Sequence, residues 1–259
     1  MRKLLSILTL ILCLVSCKTD KKTKDQTKKV TKKEVVKEKV KLPEAITKVI
    51  QKHGGLDAWK KAKTMSYNLK EEKHTIDLPT RKTLVSGENY SLGYDGKEVW
   101  LKQQDSTAFT RDHKFYYNLF FYFYAMPFVL ADDGIIYEDV APLVHDEISY
   151  PGVKISYKAN VGTSPDDNYF IYYNSQTYQM EWLGYTVTYR SKKPSDKVKM
   201  IRYNNWENVD GFLLPKSITW CSKDKETGEL KESKKAVEFS GALVLKEGMG
   251  NDFYENMNK

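Results

Sequence analysis

Cysteine and histidine are scarce in this 259-residue sequence, which contains three cysteines and four histidines. Three cysteines are too few for a disulfide scaffold, and the histidines fall into no zinc-binding spacing. The sequence also lacks a glycine-rich phosphate loop, a Gly-x-Ser-x-Gly elbow and a Cys-x-x-Cys pair. We therefore expect no cofactor, no metal and no enzymatic activity. A hydrolase without a recognisable motif stays an alternative, with His145 and Asp146 as its best candidate pair.

Positive charge is in excess, but only in one short stretch. The formal net charge is +8, yet residues 18–41 carry 11 lysines against four acids, whereas residues 42–259 carry 29 basic and 30 acidic side chains. A nucleic-acid-binding domain shows its basic excess on the folded surface, so we expect no nucleic-acid partner. Residues 18–41 contain no aromatic side chain. Such a composition cannot offset chain entropy by burial, which predicts a lysine-rich disordered tether over residues 17–41.

The N-terminal residues have the pattern of a secretory signal. Arg2 and Lys3 precede an apolar stretch over residues 4–15, which is too short to span about 30 Å of hydrocarbon. The stretch ends in Leu14-Val15-Ser16-Cys17, which resembles a bacterial lipobox. The resemblance implies cleavage after Ser16, which makes residues 1–16 a lipoprotein signal peptide, and lipidation of Cys17. The alternative is an ordinary signal peptide with an incidental cysteine.

The residue after the cysteine bears on the destination of the anchored protein. Lys18 stands where an aspartate marks retention in the inner membrane of well-studied envelopes, so this resemblance favours the outer membrane. The following residues are not acid-rich, as known surface-export signals are, which favours the periplasmic face. The membrane contact is then the lipid anchor.

The sequence pattern of residues 42–259 predicts one domain made mainly of strands. Residues 42–53 predict a helix with Ile46, Val49 and Ile50 on its apolar face, followed by a second short turn over residues 56–62. Asp95-Gly96 predicts a hairpin turn between two strands. Further strands are predicted over residues 153–157, 169–173, 178–182, 185–189, 200–206, 212–214, 217–221, 236–239 and 243–245. About ten strands at this spacing indicate a meandering antiparallel sheet, closed or half closed.

An aromatic stretch interrupts this pattern between Arg111 and Asp132. It has nine aromatic residues within residues 115–128, too continuous for an amphipathic strand, and a helical lid or plug across a sheet fits it better. Its side chains either fill the core, line an apolar cavity for a lipid, or form a protein or carbohydrate interface. The cavity-lining candidates are Tyr116, Phe120, Phe121, Phe123, Tyr124, Met126 and Phe128.

Short motifs spread over residues 43–215 carry a family resemblance. They are His53-Gly54-Gly55 with Trp59; Tyr94-Asp95-Gly96-Lys97 with Trp100; Tyr122-Phe123-Tyr124-Ala125-Met126-Pro127-Phe128; Val161-Gly162 with Pro165-Asp166-Asp167; Tyr185-Thr186-Val187-Thr188-Tyr189; and Asp210-Gly211-Phe212 with Pro215. The chain resembles an uncharacterised family of bacterial outer-membrane lipoproteins, whose domain is similar to the lipoprotein-sorting (LolA/LolB/LppX-like) fold. The resemblance supplies no activity and no catalytic residue.

The resemblance and the residues together predict an α+β fold, mostly antiparallel β. The expected architecture is a curved, half-open β-barrel with an N-terminal helix and an aromatic-rich helical lid or plug. Better-known proteins of this fold hold acyl chains or lipids on the concave side. We therefore expect an envelope lipoprotein that binds or carries a lipid or other hydrophobic molecule, with a non-catalytic carbohydrate- or protein-binding module as the alternative. The sequence leaves the oligomeric state open.

The lipid anchor is testable with one substitution. Cys17→Ser removes the thiol that would carry the diacylglyceryl group, and each buried acyl CH₂ contributes about 0.8 kcal/mol to membrane binding. We expect the variant to move from the membrane pellet to the soluble fraction on centrifugation of lysed cells. Cys221→Ser is the matched control and should stay in the pellet. Unchanged fractionation of the Cys17→Ser protein would contradict lipidation.

Overall fold

The computed structural model describes residues 42–132, 134–157, 166–191, 193–250 and 252–255. The predicted signal peptide, Cys17 and the tether lie outside these residues, as do Asp133, Val161, Gly162 and Pro165. Within the described ranges, no helix has both the length and the apolar character needed to cross a membrane.

Helices are few and short. They are α1 (Glu44–Lys52), α2 (Leu56–Lys61), α3 (His113–Tyr116) and α4 (Leu119–Tyr124), with 3₁₀ turns at Phe128–Ala131 and Asp252–Tyr254. The strands are β1 (Thr64–Leu69), β2 (Glu72–Asp77), β3 (Thr83–Ser86), β4 (Tyr90–Tyr94), β5 (Val99–Gln103), β6 (Ile135–His145), β7 (Ile148–Tyr157), β8 (Tyr169–Tyr173), β9 (Met180–Tyr185), β10 (Lys199–Val209), β11 (Phe212–Lys223), β12 (Leu230–Glu232), β13 (Val237–Glu238) and β14 (Ser240–Leu245).

The strands form two antiparallel sheets. The first sheet has the order β14-β1-β2-β3-β4-β5, and the second has the order β12-β11-β10-β9-β8-β7-β6, with β13 also paired to β11. The chain crosses from the second sheet to the first between Glu238 and Ser240. The second sheet is the curved half-open barrel, since its edge strands β6 and β12 are not paired to each other. The predicted fold class is therefore confirmed.

Local irregularities account for the bending of the second sheet. The β6–β7 register shifts between Val140 and Leu143, and the β10–β11 register shifts between Arg202 and Trp206. Such bulges bend a strand and increase its twist.

The prediction of a strand over residues 185–189 is wrong. Strand β9 ends at Tyr185, and the next residues leave the ladder because other acceptors hold their amides. Thr186 donates to the Asn168 carbonyl at 3.0 Å, and Thr188 donates to the Asp167 carboxylate at 2.6 Å. Residues 186–191 and 193–198 therefore lie outside any strand and form a loop.

Helix α1 is attached to the second sheet through His53, the residue that caps its C-terminus. The buried His53 ring donates from Nδ1 to the Leu213 carbonyl at 2.9 Å, and its Nε2 accepts the Met180 amide at 3.1 Å. These two bonds fix a neutral tautomer. Burial lowers the pKa of His53 to about 4, although the bond to Leu213 opposes the shift.

The glycine after His53 is required by a close approach. Gly54 has φ 124°, and a Cβ there would lie 2.7 Å from the Gly211 carbonyl oxygen. The nearby Trp59 stacks on Phe128 with ring centroids 4.3 Å apart and meets Phe212 edge to face. The His53-Gly54 and Gly211-Phe212 motifs therefore meet in space to join helix and sheet.

The depressed pKa of His53 predicts a pH-dependent stability. The unfolded chain takes up a proton near pH 6.5 whereas the folded protein does so near pH 4, so the contribution of His53 is complete above pH 6.5 and is lost as the pH falls towards 4. Between pH 7.5 and 4.5, the free energy of unfolding should fall by about 2–3 kcal/mol more in the parent than in His53→Gln.

Urea unfolding at the two pH values measures this difference. His113→Gln, a change of a half-buried histidine on α3, serves as the control and should keep the parent's pH dependence. Parallel pH profiles for the parent and His53→Gln would show that His53 does not carry the effect.

Candidate functional site

The aromatic stretch is the crossover between the two sheets. We call residues 111–132 the plug; it follows β5 of the first sheet and leads into β6 of the second. Its helices are two short segments rather than one helix with Tyr116, Phe120, Phe123 and Tyr124 on a common face. Asp112 caps α3 by accepting the Lys114 and Phe115 amides, and the chain departs from helical geometry at Asn118.

The predicted cavity-lining residues separate into two groups. Phe121, Tyr124, Met126 and Phe128 are at most 2% exposed and pack in the main core; Tyr124, for example, lies 4.4 Å from the Tyr67 ring. The other three line cavities on the two sides of the plug. They are Tyr116, Phe120 and Phe123.

Hydrogen bonds to backbone carbonyls hold the plug on the second sheet. The buried Tyr203 hydroxyl donates to the Phe123 carbonyl at 2.9 Å, and the Tyr137 hydroxyl donates to the Leu130 carbonyl at 2.5 Å. Both carbonyls lie in or next to the ends of short helical segments, which leave such groups without a partner of their own. The plug is therefore oriented by polar contacts as well as by packing.

A buried carboxylate holds the plug on the first sheet. Glu72 on β2 accepts hydrogen bonds from the Arg111 guanidinium at 2.6 Å, the Tyr116 hydroxyl at 2.5 Å, the His74 ring at 3.1 Å and the Tyr90 hydroxyl. Arg111 and Tyr116 belong to the plug, whereas His74 and Tyr90 belong to the sheet. The Glu72 side chain thus connects the plug to the first sheet.

The hydrogen bonds to Glu72 also determine its protonation. Burial alone raises the pKa of this carboxyl, but the four donors outweigh burial and hold the pKa at about 2. His74 stays neutral because burial lowers its pKa more than Glu72 raises it. Arg111 further lies over the Tyr116 ring, 3.8 Å from its centroid. We call these five residues the Glu72 cluster.

The Glu72 cluster could not be predicted from the sequence. One signal was readable, because Glu72 and His74 are two residues apart on a strand and so share a face. The other three partners reach Glu72 only through the pairing of β2, β3 and β4 and through the path of the plug. The alternation of residues along each strand specifies neither the pairing of the strands nor the path of the plug.

Two stripes of the plug line two different cavities. Tyr116 and Phe120 face a cavity of about 430 Å³ beside the Glu72 cluster, which we call the first cavity. Phe115, Leu119 and Phe123 face a cavity of about 600 Å³ against the second sheet, which we call the second cavity. Leu119 and Phe123 are four residues apart on α4 and so share one of its faces, whereas Phe115 and Tyr116 come from α3.

The second cavity has an aromatic wall on the sheet side. This wall consists of Tyr169, Tyr185 and Trp220, and the Trp220 indole donates to the Tyr185 hydroxyl at 2.7 Å. Phe123 of the plug meets the Tyr185 and Trp220 rings edge to face at 5.2 and 5.6 Å. Burial raises the pKa of both tyrosines, so the wall is uncharged at neutral pH.

The candidate hydrolase pair, His145 and Asp146, lies at a surface turn. His145 lies 3.4 Å from Asp146, but the carboxylate side chain is 84% exposed and both residues sit at the tip of the β6–β7 hairpin. In the described ranges, no three His, Cys, Asp or Glu side chains are grouped to hold a metal ion. Of the described aromatic side chains, Phe253 alone is exposed, so these residues present no flat aromatic platform.

Replacement of Glu72 tests its structural role. Glu72→Gln removes the charge that accepts from Arg111 and halves the acceptor capacity, and hydrogen bonds to charged groups contribute about 1.5–3 kcal/mol each. We expect the free energy of unfolding at pH 7.5 to fall by about 3 kcal/mol, measured by urea titration. Glu71→Gln, the exposed neighbour, should change it by less than about 0.5 kcal/mol. Equal effects of the two substitutions would contradict the assignment.

Comparison with known proteins gives matches among solved structures only. No protein-family model matches the chain, and a search of curated proteins finds no match. The chain is similar to a LolA superfamily protein from Nitrosomonas europaea at 9% identity and a TM-score of 0.37, covering 74% of this chain and 87% of that one. It is also similar to an outer membrane lipoprotein-sorting protein domain from Vibrio parahaemolyticus at 10% identity and a TM-score of 0.39, covering 81% of this chain and 94% of that one. The names of these two structures are those of the lipoprotein-sorting (LolA-like) fold that the sequence motifs resemble.

Proposed function

We propose that the protein is a non-catalytic, lipid-anchored envelope protein that holds a hydrophobic ligand, such as an acyl chain, in the second cavity. The observation that carries this proposal is the lining of that cavity, where side chains of the plug face an aromatic wall of the sheet across about 600 Å³. Ligand sites of small molecules have this size and are mostly apolar with a few polar groups.

The energetics favour an apolar occupant. Transfer of apolar surface from water contributes roughly 25 cal/mol per Å², or about 0.8 kcal/mol per CH₂. Phe115 and Leu119 offer such surface on one side, and Tyr169 and Trp220 offer it on the other. A hydrocarbon chain between them replaces contacts with water on both walls.

The proposed location follows from the N-terminal residues. An acylated Cys17 anchors the chain in the outer membrane, and Lys18 and its neighbours favour the periplasmic side. As a flexible coil, the residues between Cys17 and Leu42 span roughly 25–30 Å root-mean-square. The domain then stays close to the bilayer from which an acyl ligand would come.

A substitution that fills the second cavity tests the function. Leu119→Trp places an indole in the cavity, and we expect it to weaken binding of the uncharged probe N-phenylnaphthylamine about tenfold, since each displaced CH₂ contact contributes about 0.8 kcal/mol. Fluorescence titration of the full chain carrying Cys17→Ser measures the affinity, because no acyl anchor then competes.

Phe120→Trp is the matched control, because Phe120 is the next residue along the plug and lines the first cavity instead. It should leave the probe affinity within about twofold. Full binding by Leu119→Trp would place the ligand elsewhere. Equal weakening by both substitutions would mean that the plug as a whole, rather than the second cavity, governs binding.

A further inference from the structure

We infer that the ligand of the second cavity is a single-chain amphiphile with an anionic head group, a carboxylate or a phosphate ester. The chain lies between the plug and the aromatic wall, and the head group meets the loop that follows β9. This inference rests on the proposed function and adds the chemistry of the polar end.

The loop at the second cavity is rich in basic residues. Residues 186–200, which include the first two residues of β10, contain five basic residues and one acid, whereas the rest of residues 42–259 contains 24 basic and 29 acidic residues. Three of the basic side chains line the cavity, and all three are exposed at its edge: Arg190, Lys197 and Lys199.

These charges are available to a ligand. Among the described residues, Arg190, Lys197 and Lys199 form no ion pair with a carboxylate. Asp167 is the one acidic residue among those that line the second cavity. Its carboxylate accepts the Thr188 amide at 2.6 Å and so helps to hold the loop in place. Three positive charges against one negative charge favour an anion at the edge of a cavity whose inner walls are mostly aromatic.

Two other cavities in the described part of the chain have the opposite balance, whereas a third has Lys70 and Lys216 against Glu238. The first cavity is lined by Glu71, Glu72 and Glu88 against Lys70 and Arg111. The cavity at the β6–β7 hairpin tip is lined by three acidic residues and one lysine. An anionic amphiphile is therefore favoured at the second cavity over these two.

The volume of the cavity sets the number of chains. About 600 Å³ lies within the range of sites that hold one small molecule, roughly 300–1,000 Å³. Phe123 touches Tyr185 edge to face, with ring centroids 5.2 Å apart, and so closes one end of the cavity. One hydrocarbon chain with one charged end matches this shape.

Three probes with the same hydrocarbon chain test the inference: dodecanoate, dodecyl phosphate and uncharged dodecanol. Each displaces N-phenylnaphthylamine from the full chain carrying Cys17→Ser, at pH 7.5 and low ionic strength. We expect the two anions to bind about tenfold more tightly than dodecanol, because three partly exposed ion contacts sum to about this factor. Salt should reduce the preference, since the charges are exposed. If only one of the two anions is preferred, that result identifies the head group as carboxylate or as phosphate.

Removal of the three charges should abolish this preference. In Arg190→Gln/Lys197→Gln/Lys199→Gln, the anions should bind within about threefold of dodecanol, whose own affinity stays unchanged. The control Lys60→Gln/Lys61→Gln/Lys102→Gln makes the same change of net charge at exposed lysines elsewhere and should keep the preference.

The outcomes separate the inference from the function on which it rests. Equal binding of all three probes by the parent would overturn the anionic head group and leave the hydrophobic site standing. A preference that persists in the triple variant would overturn the role of the loop. If none of the three probes binds, the proposed function itself is wrong.

Discussion

Burial of the plug between two sheets is the constraint on which the rest of the structure depends. Each large aromatic side chain contributes about 1.5–3 kcal/mol when fully buried, and the plug carries nine such residues in fourteen positions. Tyr124 packs against Tyr67 of the first sheet, and Phe128 packs against Phe212 of the second sheet. Two open sheets thereby share one apolar filling, and neither sheet needs to close on itself.

The buried backbone carbonyl groups of the plug need hydrogen-bond donors. The short helices of the plug leave carbonyl groups without intrahelical partners, and an unpaired buried carbonyl is costly. Tyr203 and Tyr137 supply hydroxyl donors to the Phe123 and Leu130 carbonyls. Tyrosine suits these two positions of the second sheet better than phenylalanine, because its ring packs and its hydroxyl donates a hydrogen bond.

Sequence patterns predicted the elements that depend on local chemistry. Helix α1, the Asp95-Gly96 hairpin and the burial of much of the aromatic stretch follow from capping, turn preference and apolar content. Strand β6 was missed because Pro142 and nearby acids break its alternation; proline is tolerated there since β6 is an edge strand with a shifted register. The Glu72 cluster and the second cavity were missed because their residues come from separate elements. Only the tertiary path of the chain brings these together.

The walls of the second cavity differ in how firmly they are held. The sheet wall is fixed by the pairing of β8, β9 and β10. The plug wall is fixed because Tyr116, the residue beside Phe115, is bonded to Glu72 on one side of the plug while Tyr203 holds the Phe123 carbonyl on the other. A cavity with two fixed walls exists before the proposed ligand arrives, so that ligand need not order the walls on binding. The hydrogen bonds of the plug with Glu72 and Tyr203 therefore hold one wall of the second cavity in place.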